Sequence, residues 1–182
     1  MPTTEADAFD TAICALPAGG CGRDDVQAVL TAFSGRHGLP AMQLDESGVL
    51  ALEIGEYVAM NLVHLPHLPG LVASVDLPEE IGTRGDLLRE LLEANLSFAR
   101  TGGGTFAKLA TDPDASAPGV QFCKLIPVVA GDDAAFERDL MGFANLAQDW
   151  LVDLELALDL APAASVESAP EAALAPAWHD RV

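Results

Sequence analysis

The chain has 182 residues, half of them apolar, and its 9 basic against 28 acidic residues leave a formal charge of -19 at pH 7. That length suits one domain burying roughly 70% of its unfolded surface, with residues left over for tails. Such acidity repels nucleic acid and anionic membrane, and suits a soluble partner with a basic or neutral surface.

The mean hydropathy, +0.26, is high for so acidic a chain, which makes some of the apolar surface a candidate for cover by another chain. Cys14, Cys21 and Cys123 are odd in number and lack CxxC spacing, so reduced cytoplasmic thiols are expected rather than a disulfide framework or a structural zinc site. No apolar run approaches 18 residues, and the N-terminus carries acids where an export signal carries bases. The expected location is the cytoplasm.

Residues 1–22 show no sustained period and read as a loose leader. From Arg23, Asp24 and Asp25 occupy a first helical turn, and Val26, Val29, Leu30 and Phe33 form one stripe before Gly38 and Pro40 end the helix. The stripe is either core or the wall of a groove. Met42 to Asp45 offers a short strand. Leu50, Leu52 and Ile54 then alternate with polar or small residues, and after Gly55-Glu56 a second alternating run covers Tyr57 to Val63, which suggests a two-residue hairpin turn. A third run, Leu71 to Leu77, completes an antiparallel meander.

Thr83 and Asp86 have the spacing of a capping box, and Leu87, Leu88, Leu91, Leu92, Leu96 and Phe98 recur at helical spacing, predicting one amphipathic helix of about four turns. Gly102, Gly103 and Gly104 end it. They follow the helix and carry no GK[ST], so they read as a C-cap rather than a phosphate loop. Thr105 to Ala110 and Val120 to Val128 predict a second hairpin around the polar link Asp112 to Gly119. Asp132 or Asp133 caps a last helix whose Phe136, Leu140, Phe143, Ala147, Trp150, Leu154 and Leu158 form one long seam. The Ala/Pro-rich residues 160–182, Trp178 included, read as a disordered tail around a domain of residues 23–159. The expected fold is α+β: a five-stranded antiparallel sheet with three helices, in the order α-β-β-β-α-β-β-α.

Chemistry-bearing patterns are weak. His64 and His67, three residues apart, have only Asp76 as a further ligand in the same hairpin, so a polar turn is the simpler reading and no metal is assigned. Cys123 lies inside an alternating strand, where an inert buried thiol is expected, and no serine has an elbow motif. Asp112/Asp114 and Asp132/Asp133 fall at turns and caps, so no catalytic residue and no cofactor are expected. Asn95, beside the apolar stripe, is expected to make a hydrogen bond that fixes packing.

Glu93-Ala94-Asn95-Leu96 with its glycine corner, the strand VQFCKLIPV, and DDAAFERDLMGFANLAQDW at the head of a long closing helix carry a resemblance. Over about residues 24–158 the chain resembles the class I type III secretion chaperones, the Tir chaperone family. The resemblance implies a cytoplasmic homodimer without enzymatic activity that holds the N-terminal region of a secreted effector extended and soluble and presents it to the secretion apparatus, whose ATPase is a further candidate partner. It places the dimer interface on Leu88, Leu91, Leu92, Asn95, Phe98 and Phe106. It places the effector on Val26, Val29, Leu30, Phe33, Leu50, Leu52, Val58 and Met60. The competing readings are an interaction or regulatory module on the same scaffold with no secretion role, and a small-molecule or metal protein using His64 and His67.

Overall fold

A computed structural model describes residues 20–54, 58–108 and 119–160. The leader through residue 19, the tail from 161 with Trp178, and the link at 109–118 lie outside the described residues. Helix α1, Arg23–His37, begins with Asp24 and Asp25 and ends with Arg36 and His37, each charge complementing the helix dipole. Gly38 closes it at φ 64°, its N–H bonded to the Ser34 carbonyl.

The segment after α1 is not a strand at Met42 to Asp45. Its backbone groups are taken by α1 side chains instead. Gln27 Nε2 donates to the Met42 carbonyl at 2.8 Å, Gln27 Oε1 accepts from the Leu44 N–H at 3.2 Å, and the Arg23 guanidinium donates to the Leu44 carbonyl at 3.0 Å. With those groups occupied, no strand ladder forms there.

Strands β1 (Val49–Ile54), β2 (Val58–His64) and β3 (Gly70–Asp76) make the expected antiparallel meander. Ile54 pairs with Val58, so three residues, 55–57, separate the paired ends rather than two. They lie outside the described residues. From β3 the chain runs through a 3-10 helix, Glu79–Thr83, into α2, Gly85–Ala94. The capping box is absent. Thr83 Oγ1 donates to the Glu80 carbonyl, and Asp86 is held by the Arg84 guanidinium.

The single central helix expected from periodicity is two: α2, and a short α3 at Phe98–Thr101. Ser97 between them is extended, with φ -124° and ψ 106°. Gly102, φ 55°, closes α3 as a left-handed cap, which bears out the cap reading of the glycines. Strands β4 (Thr105–Lys108) and β5 (Val120–Pro127) form the second antiparallel hairpin, and β5 also pairs with β3. Sheet order is therefore β1-β2-β3-β5-β4, antiparallel throughout, with β1 and β4 at the two edges.

Helix α4, Asp133–Leu160, is about 42 Å long and is capped by Asp132, whose Oδ1 accepts from the Ala135 N–H at 3.1 Å. It lies against β2, β3, β5 and α1. Phe136, Leu140, Phe143, Ala147, Trp150 and Leu154, six residues of the predicted seam, are buried there. Aromatic rings tie the layers together: Phe106 stacks on Phe122 at 4.5 Å, Phe122 on Phe143 at 5.1 Å, and Phe106 meets Trp150 edge-on at 4.9 Å.

Candidate functional site

Two surface features follow from this layering. The first is a groove of about 360 Å³ between the end of α1, the free edge of β1, and α4. Its apolar wall is Phe33, Leu39, Met42, Leu52, Ile54, Leu140 and Met141, with His37 and Glu53 beside them. An ion cluster fixes the two helices at this end. Arg36 reaches Asp133 at 2.9 Å and Glu137 at 3.2 Å, and His37 Nε2 lies 2.9 Å from Glu137. These pairs are substantially exposed, so they orient the helices more than they stabilise them.

The groove uses only part of the set expected to hold a client. Val26, Val29, Leu30, Phe33, Val58 and Met60 are buried in the chain's own core, Val26 and Leu30 completely. The α1 stripe is core, and only Phe33, at its end, touches the groove. The cause is α4, against which α1 packs with Phe33 edge-on to Phe136 at 6.2 Å. Leu50 and Leu52 are half-buried on the edge strand, and of the eight residues Phe33 and Leu52 reach the groove. Leu39, Met42, Ile54 and Met141 were missed as groove residues. Only the alternation running on to Ile54 gave any sign of them.

The second feature is the outer side of α2 and α3. Leu92, Leu96 and Phe98 are 64%, 90% and 58% exposed, the three most exposed large apolar side chains among the described residues. The other residues expected at a dimer contact are disposed differently. Leu91 and Phe106 are buried in the chain's core, and Leu88 is half-buried against it. Asn95 makes the packing bond expected of it, holding the backbone of Phe106. Arg100 braces α3 on α4: its guanidinium lies 5.2 Å over the Trp150 ring and bonds Glu90 at 3.0 Å, while its carbonyl accepts from Trp150 Nε1 at 3.0 Å.

The two histidines weighed as a metal pair are placed apart among the described residues. His64 Nε2 is engaged with the Cys21 carbonyl at 2.8 Å, while His67 is exposed. No three His, Cys, Asp or Glu residues come together there to hold a metal, and no buried side-chain polar atom lacks a partner. Burial, and then the nearby Asp76 charge, push the Cys123 thiol up, away from the thiolate a nucleophile needs. Among the described residues no helix is long and apolar enough to cross a membrane.

Solved structures share this layout. The ExsC–ExsE complex matches at 26% identity and a TM-score of 0.58, over 79% of this chain and 98% of that one. The HopA1–SchA chaperone–effector complex matches at 16% identity and 0.55, over 72% and 98%. YbjN of E. coli, a putative transcription regulator, matches at 13% identity and 0.54, over 76% and 94%. At such identities the last two show the fold alone. No curated protein matches the chain by sequence. Residues 28–151, about two thirds of the chain, match the Tir chaperone protein (CesT) family, and by that match the chain belongs to it.

Proposed function

We propose that this chain is a type III secretion chaperone, acting in the cytoplasm as a homodimer without enzymatic activity. It binds the N-terminal region of a secreted effector, keeps that segment soluble and partly unfolded, and releases it to the secretion apparatus, where an ATPase is the natural receiver. The observation that carries this reading is the outer edge of β1, paired with no other strand among the described residues, beside the apolar groove. An extended segment placed there gains main-chain hydrogen bonds from the strand and buries alternate side chains in the groove. The exposed Leu92, Leu96 and Phe98 supply the contact between two copies.

The test is capture from the native cell followed by mass spectrometry, then binding with fragments of the captured protein. An isolated N-terminal fragment should suffice and should remain protease-sensitive, with no gain of compact structure. Dependence on the folded remainder of the partner would instead favour a regulatory module built on the same fold.

A further inference from the structure

We infer that the client segment beside β1 carries a Lys or Arg between two aliphatic side chains, and that this cation pairs with Glu53. The inference rests on the proposed client-binding role and adds a charge rule to it. In β1, Leu50, Leu52 and Ile54 turn toward the helices and pack against the core, while Ala51 and Glu53 are exposed on the other face, Glu53 also bordering the groove at its rim. Their β2 partners repeat the division: Met60, opposite Leu52, is buried, whereas Ala59, opposite Glu53, is exposed.

A strand added to the free edge of β1 inherits this pleat. Its residues opposite Leu52 and Ile54 enter the groove, and the residue between them stands directly across from Glu53. The neighbours of Glu53 on that surface, Ala51, Ala59 and Asn61, are uncharged, and Glu53 has no ion pair among the described residues. Arg36, the arginine at this end of the groove, is already matched to Asp133 and Glu137. Glu53 is therefore an unmatched charge on β1 among the described residues, and a cross-strand cation complements it where an anion is repelled. The alternative use of an edge carboxylate is to discourage self-pairing of the strand.

A random ten-residue peptide display library, selected on the full chain and on its Glu53→Lys form, tests the pairing. The unaltered chain should enrich alternating aliphatic peptides with Lys or Arg between the aliphatics, and Glu53→Lys should enrich Asp or Glu there. In a single selected peptide, exchanging that Lys for Glu should weaken binding about two- to five-fold on the unaltered chain and strengthen it on Glu53→Lys. Alternating peptides with the same charge preference on both proteins overturn the pairing and leave the groove reading standing. Higher-mass species from Glu53→Gln with unchanged peptide preference make Glu53 an edge guard only, and the inference fails. No enriched peptide at all, or binding indifferent to Leu52→Asp, overturns the groove reading together with it.

Discussion

Asn95 holds both backbone polar groups of Phe106: its Oδ1 accepts from the Phe106 N–H at 2.8 Å and its Nδ2 donates to the Phe106 carbonyl at 3.0 Å. In an antiparallel ladder a residue directs its N–H and C=O to the same side, so these groups point away from β5. The amide serves as a strand partner for one position of edge strand β4. The same bonds hold the end of α2 where the chain breaks before α3. Asn95→Ala should lower stability by about 2–4 kcal/mol, from two lost bonds to partly buried groups, measured by urea denaturation. Asn95→Asp should not restore it, because a carboxylate cannot donate to the Phe106 carbonyl.

Leu92 and Leu91 are adjacent in sequence and opposite in fate, 64% and 1% exposed. Leu92→Asp should leave the melting temperature of the isolated subunit nearly unchanged and halve the mass seen by light scattering at micromolar concentration. Leu91→Asp should unfold the chain, since it buries an unpaired charge. A dimer that survives Leu92→Asp would move the contact off this helix face.

Phe33 and Leu52 share the groove but differ in burial. Phe33, packed on Phe136, is part of the core, and Phe33→Ala should cost about 3–5 kcal/mol. A charge there would unfold the protein and so says nothing about a client. Leu52→Asp, on the half-buried edge, should keep the circular dichroism spectrum and reduce client binding at least ten-fold, roughly the loss of one well-buried apolar side chain. Titration calorimetry with a captured client fragment reads the difference.

Arg84 holds the Asp86 carboxylate through two hydrogen bonds, 3.0 and 2.7 Å, and its pKa falls to about 2 from 3.8. A depressed carboxylate stabilises the fold above its unfolded pKa and loses that contribution as pH falls through the folded value. Asp86→Asn should therefore lower the melting temperature by a constant amount at pH 5–7, with the gap closing between about pH 4 and pH 2. Asp86 is exposed and Arg84 partly so, so the gap should be small and shrink with added salt.

Periodicity located α1, the meander, the second hairpin and α4, and the stripe Val26, Val29, Leu30 and Phe33 and the seam from Phe136 to Leu154 do face inward as their spacing indicates. Short-range patterns of this kind follow from backbone geometry, which repeats every 3.6 or 2 residues whatever the chain later packs against. The break after Ala94 was invisible because it depends on Asn95 reaching Phe106, eleven residues away. Likewise, the Met42 segment has strand-like composition, but Gln27 and Arg23 of α1 claim its backbone.

The groove was half legible. An apolar stripe shows that something covers it, and only the three-dimensional arrangement says what. For Val26 and Leu30 the cover is the chain's own core, whereas Leu92 and Leu96 stand largely exposed among the described residues. Sheet order was decided in the same way: β5 lies between β3 and β4, β1 is an edge strand among the described residues, and such pairing joins residues some fifty apart, such as Val72 and Leu125. Local spacing fixes which side of an element is apolar. Long-range packing decides which apolar sides remain open for another chain.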